Sequence, residues 1–221
     1  MEMVLTKKEK IWVRDPLSAL THFIGFLMVL PAAVGMLQLC DTGREMAAFL
    51  IFSFSLMLLY GASTIYHTLC LSAEKIAFLR RIDHMMIFVL IAGTYTPVCL
   101  LTLEGKWGTI LLAAIWSIAI AGMFMKIFWM GAPRWLSTMI YVVMGWLSVT
   151  AFVPLLHAVG WSGFFLLLTG GIAYTVGALI YGLKKPNLAF LKGFGFHEIF
   201  HVFVMIGTAF HILFMFLFVL S

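Results

Sequence analysis

The chain has 221 residues, 63% of them hydrophobic and 10% charged, with a formal charge of +5 and a mean hydropathy of +1.09. That balance excludes an ordinary soluble domain and marks an integral membrane protein. It also excludes a nucleic-acid surface, because the positive charge sits in short segments between apolar runs and has no soluble face to occupy.

A helix needs about 20 apolar residues to cross roughly 30 Å of hydrocarbon. By that measure seven spans are predicted, over 17–39, 46–70, 82–103, 107–125, 135–157, 161–183 and 197–220. The expected fold class is all-α, a seven-transmembrane helix bundle forming a single domain over residues 1–221. The first run is too long for a signal-peptide core and is read as a span. Turn-forming stretches such as Asp41-Thr42-Gly43, Gly131-Ala132-Pro133 and Lys184-Lys185-Pro186 punctuate the pattern. Cys40, Cys70 and Cys99 show no paired spacing, so neither a disulfide framework nor a cysteine metal knot is expected. Twelve of the fourteen Lys and Arg residues fall in the N-terminal segment and the 2–3, 4–5 and 6–7 loops; only Arg44 and Lys106 fall on the other side. The positive-inside bias then predicts a cytoplasmic N-terminus and an outside C-terminus.

Ionisable residues inside spans are expensive and point to function. With alternating spans, His67 near the end of span 2, Asp83 at the start of span 3, and His197 and His201 at the start of span 7 share one layer near the inner surface, with Ser63 one turn deeper. Residues four apart share a helical face, which pairs Ser63 with His67 and His197 with His201. Three imidazoles from two helices can then hold one ion, and three histidines with an open fourth position is the catalytic zinc arrangement. Asp83 is expected to handle the proton of a water there, and Ser63 to donate to a carbonyl oxygen. Taken singly, His67 reads equally as a hydrogen-bonded helix-end residue and Asp83 as a partner of Arg80 or Arg81; the conjunction at one depth favours a metal site. His211 lies about 21 Å deeper than His197 at 1.5 Å per residue and is out of reach. His22 is expected to border the site, His84 to be peripheral and His157 to be interfacial. The span-7 string His197-Glu198-Ile199-Phe200-His201 also matches the H-E-x-x-H of zinc proteases, in which Glu198 would be the base.

The stretches "THFIG" at 21–25, "ASTIYH" at 62–67, "IDHMMIFVLIAGTYTP" at 82–97, "MGWLS" at 144–148 and "FHEIFHVFVMIGTAFH" at 196–211 resemble the bacterial hemolysin III family. That family stands within the group of progestin and adipoQ receptors and alkaline ceramidases. The resemblance implies a seven-helix bundle in a bacterial plasma membrane, with zinc held by His67, His197 and His201 and accompanied by Ser63 and Asp83. It further implies hydrolysis of a lipid amide or ester, ceramide-like, with Glu198 incidental, and a link to membrane lipid homeostasis. Members often carry a glutamate and an asparagine ahead of T-H-x-x-G, where this chain has Asp15 and Ser18. A non-enzymatic sensor or receptor with a structural zinc is the main alternative, followed by a cytolysin and an intramembrane zinc protease.

Overall fold

The computed structural model describes residues 13–103, 105–129, 131–186 and 194–220. Among these there is no strand, and the helices are α1 (Pro16–Gln38), α2 (Gly43–Thr68), α3 (Ala73–Pro97), α4 (Gly105–Phe128), α5 (Arg134–Trp146), α6 (Phe152–Leu183) and α7 (Phe196–Phe218). A π turn, Val98–Thr102, prolongs α3 past Pro97, and a 3-10 turn, Leu147–Ala151, joins α5 to α6.

Local chemistry sets several of the boundaries. Pro16 opens α1, where its missing N–H costs nothing. Thr42 caps α2: its side chain accepts from Glu45 N at 3.2 Å, while Glu45 Oε2 accepts from the Thr42 and Asp41 amides at 3.0 and 2.8 Å. Lys184, at φ 56°, ends α6 in the left-handed conformation that closes many helices.

Length and composition give six runs able to span a membrane among the described residues, where the sequence predicts seven. The difference lies in Arg134–Leu183, a 50-residue run that takes in both the fifth and the sixth expected spans. No loop parts them at the predicted gap of 158–160; the only non-helical backbone there is Gly160, at φ 64° and ψ −178°. The chain is thus an all-helical, multi-pass membrane protein.

The helices pack as a ring in the order α1, α2, α3, α5, α6, α7 and back to α1, with α4 against α3 and α5. Phe49, Phe52, Leu56, Phe88, Met144, Phe214 and Met215 fill the interior, while Leu20, Phe54, Phe124, Val153 and Leu217 face outward, as a lipid-facing surface requires. Close helix contacts rest on small residues. At Gly207, for example, the ring of Tyr174 lies 2.9 Å from where a Cβ would stand.

Candidate metal centre

The start of α1, the end of α2 and the start of α7 meet at one end of the ring. Because Arg14, Arg80, Lys126 and Arg134 also stand at this end, we call it the basic end. Two backbone bonds join the chain ahead of α1 to the end of α2: Asp15 N donates to His67 O at 2.9 Å, and Arg14 N to Thr68 O at 3.3 Å. The Arg14 guanidinium lies 4.0 Å above the Tyr66 ring and donates to Asp15 Oδ2 at 2.9 Å. The Asp15 carboxylate is therefore fixed beside His67 before any ligand is considered.

One ring nitrogen from each of His67, His197 and His201 lies within 4.8 Å of the other two. The outer nitrogens of two of these rings are engaged. His67 Nδ1 is 3.0 Å from Asp15 Oδ2, and an ionised carboxylate only accepts, so the proton is on Nδ1. His201 Nδ1 is 3.0 Å from Thr21 Oγ1, whose own proton goes to Ser18 O at 2.9 Å. The Thr21 oxygen must therefore accept from His201, which again puts the proton on Nδ1. Both histidines present an unprotonated Nε2 to the interior, which is how metal-bound histidines are usually held by their outer partners.

The donor set fits a cation. His67 Nε2 and His197 Nε2 face each other at 3.2 Å. Two nitrogens placed 2.0–2.1 Å from a tetrahedral ion stand about 3.3 Å apart. The cluster could thus hold a metal ion with His67, His197 and His201 as ligands.

Ser63, one turn from His67 on α2, is fully buried, its hydroxyl beside the Asp83 carboxyl. Asp83 is buried on α3 and forms no ion pair with Arg80 or Arg81, contrary to the bland sequence reading. Ser63, Asp83, His197 and His201 all border one cavity of about 190 Å³, whose walls are otherwise mainly apolar.

Glu198 does not face the cluster as a protease base would. Its Oε1 accepts from Ser18 and its Oε2 from the Gly195 amide at 2.8 Å, which caps α7. His22 borders the site as expected, but stacks its ring face on His201 at 3.6 Å and 15°, so it offers that ring no nitrogen. His211 lies deeper along the wall of the same cavity, its Nε2 3.3 Å from Leu167 O, and His157 is exposed. His84, expected to be peripheral, instead lines the cavity. Sequence reasoning missed Asp15 and Thr21 as partners of the ligand rings. Their signal was the T-H-x-x-G stretch, which Thr21 opens and which Asp15 precedes by six residues.

With the helices and the histidine cluster described, the chain can be compared with known proteins. The model of the family described as "Haemolysin-III related" matches residues 10–212. The chain is 40% identical to "Hemolysin-3 homolog" of Bacillus subtilis (strain 168) over 195 residues, 87% of this chain and 88% of that protein. It is 37% identical to "Hemolysin-3" of Bacillus cereus over 209 residues, 93% of this chain and 91% of that protein. A match over nearly the whole chain, with relatives of matching length, means that this protein belongs to the haemolysin-III related family.

Proposed function

We propose that this protein is a zinc-dependent membrane hydrolase acting on an amide or ester of a ceramide-like lipid whose head group enters from the cytoplasmic leaflet. The observation that carries the reading is one constellation: three imidazole nitrogens within 4.8 Å, two of their rings bordering an apolar cavity that also holds the buried Ser63 hydroxyl and the Asp83 carboxyl beside it. Zinc is the first choice because an all-histidine set near an intracellular surface suits it.

When bound, the ion supplies Lewis-acid polarisation of a carbonyl and acidification of a water. The remaining roles fall to the chain. Ser63 donates to the carbonyl oxygen as charge builds there. Asp83 accepts a proton from water and returns it to the leaving group. Asp15 and Thr21 hold His67 and His201 with Nε2 facing inward. The apolar cavity walls suit acyl chains and exclude bulk water.

The topology behind this reading is seven spans in one domain, N-terminus cytoplasmic and C-terminus outside, in the plasma membrane of a bacterium. As a straight helix, Arg134–Leu183 would measure about 75 Å, more than twice the hydrocarbon thickness. A reversal at Gly160 divides it into two membrane-length pieces. The loop charges favour the stated orientation.

One observation favours a second reading. The histidines join α2 to α7, so a zinc there could serve only to staple a sensor or receptor. Under a protease reading, Glu198 would have to leave both Ser18 and Gly195. The name of the Bacillus cereus relative denotes lysis of red cells, and lysis retained by a metal-free His67→Ala protein would separate that activity from this site.

The test is elemental mass spectrometry on wild type, His67→Ala, His201→Ala and Glu198→Gln, followed by turnover of ceramide and ester lipids in proteoliposomes. The expected result is about one zinc per wild-type chain, lost in both histidine variants and kept in Glu198→Gln, with turnover abolished by Asp83→Asn. Bound zinc without turnover of any lipid would favour the sensor; wild-type protein without metal would remove the hydrolase reading.

A further inference from the structure

At the basic end, Arg80, Lys126 and Arg134 stand near one another on α3, α4 and α5, and among the described residues none has a carboxylate partner. Side-chain packing shows how they converge. The Phe88 ring of α3 packs on Tyr141 of α5 with centroids 4.6 Å apart. It also lies so near Gly122 of α4 that a Cβ there would come within 2.3 Å of it. Four residues from Phe88 is His84, four from Gly122 is Lys126, and four from Tyr141 is Ser137; each is one turn nearer the basic end on the same face. The layer is real contact, not just register: Lys126 Nζ donates to Ser137 Oγ at 2.5 Å, and Tyr141 Oη donates to the His84 carbonyl at 3.1 Å. Arg134, one turn before Ser137, lays its guanidinium over the Tyr181 ring at 4.9 Å. His84, Tyr141 and Tyr181 border the same cavity as His197 and His201.

Two features of this wall lack an internal explanation. Arg134 Nη1 is a buried donor without an acceptor and His84 Nδ1 a buried ring nitrogen without a partner, although buried polar groups are normally satisfied. Lys126 is only 3% exposed, so its ammonium has not reached the lipid head groups as a rim lysine would. The cations around His84 are Lys126, Arg80 and Arg134, and Asp83, which faces Arg80, is the carboxyl nearest to them. Asp83 is adjacent in sequence but points about 100° away around α3.

We propose that this wall is a binding site for a phosphate-type oxyanion, with Arg134 and His84 as donors and Lys126 as the buried counter-charge. Within the amide-or-ester reading, this narrows the lipid taken up by the cavity to the ester of an anionic phospholipid in place of a ceramide-like amide. A guanidinium and a ring N–H suit phosphate oxygens, which accept from several donors at once. The oxyanion site stands without the hydrolase reading; naming the substrate class rests on that reading.

Native mass spectrometry on delipidated protein tests it with three probes: dioleoylphosphatidylglycerol, dioleoylglycerol as its phosphate-free counterpart, and inorganic phosphate. The phospholipid should be retained about tenfold more than dioleoylglycerol, and that ratio should fall to about threefold in Arg134→Gln, which loses a charge-assisted hydrogen bond, and in Lys126→Met, which loses the counter-charge. Equal retention of the two lipids by wild type overturns the proposal, and this comparison does not depend on either variant folding. Inorganic phosphate that displaces the phospholipid at millimolar concentration supports the oxyanion site but overturns its assignment to a lipid. Phospholipid retention without turnover of any lipid would refute the hydrolase reading alone. Turnover indifferent to the phosphate would refute the oxyanion site alone.

Discussion

Replacing Asp15 by Asn isolates the contribution of a carboxylate that touches no substrate and no ion. The substitution keeps an oxygen near His67 Nδ1, now 3.0 Å from Asp15 Oδ2, but removes the negative charge that polarises the ring. Loss of such an outer partner typically lowers metal affinity 10–100-fold. The Asp15 side chain is 44% exposed and also paired with Arg14, so much of its charge is already screened, and the lower limit applies. We expect about a tenfold rise in the zinc dissociation constant, or about 1.4 kcal/mol. The pH dependence follows from the state of this carboxyl. Burial pushes its pKa up, but hydrogen bonds with His67 and Arg14 outweigh burial and hold it below its ordinary value of 3.8. A depressed carboxylate stabilises the fold fully above its unfolded pKa and loses that contribution only as pH falls through the lower folded value. Asp15 is therefore ionised throughout pH 6–8, and the tenfold loss should be the same across that range. Competition with a chromophoric chelator in detergent, repeated at several pH values, measures it. A loss below twofold would refute the polarising role, and a loss that disappears at pH 6 would refute the assigned ionisation state.

Four further outcomes are expected. Thr21→Val removes a neutral partner of His201 Nδ1 and should weaken zinc binding by no more than about 1.5 kcal/mol, less than any ligand substitution, in the same chelator assay. Acidification from pH 7.5 to pH 5 should release zinc, followed by elemental analysis after dialysis, because each imidazole must be neutral to bind. Gly93→Ala should lower thermal stability in detergent by about 1–3 kcal/mol, since its Cβ would lie 2.2 Å from Ser55 Oγ at the α2–α3 contact. Tyr95→Phe should cost about 1–3 kcal/mol by thermal unfolding and loosen the α5–α6 joint, because Tyr95 Oη accepts from Ser148 N at 2.9 Å and bonds the Met144 and Gly145 carbonyls.

The helices and the histidine cluster were largely legible in the sequence because they rest on short-range rules. Hydropathy runs mark the helices, and the four-residue spacing of His197 and His201 sets them on one face. What escaped depends on tertiary packing. Asp15 lies outside any regular element, and only the backbone bonds between the segment ahead of α1 and the end of α2 reveal that it meets His67. The gap expected between spans 5 and 6 is narrowed to the single residue Gly160, whose backbone leaves the helical region while its neighbours stay helical. His84 was judged by its rotation from Asp83 alone, but the cavity extends around α3 far enough to meet both residues. Glu198 is incidental to the cluster, as expected, although its cap role was not read: at the third position of α7 its carboxylate accepts from the Gly195 amide.

His67 and His197 meet across 130 residues of intervening chain. During synthesis the first six expected spans enter the membrane while only His67 of the three is available, so the ion cannot guide their insertion. The nitrogen cluster comes into being only when α7 joins α1 and α2. If the proposed ion is bound, its capture is a late event in biogenesis and metal content doubles as a gauge of completed assembly: a chain arrested before α7 should emerge metal-free however well its earlier helices are inserted.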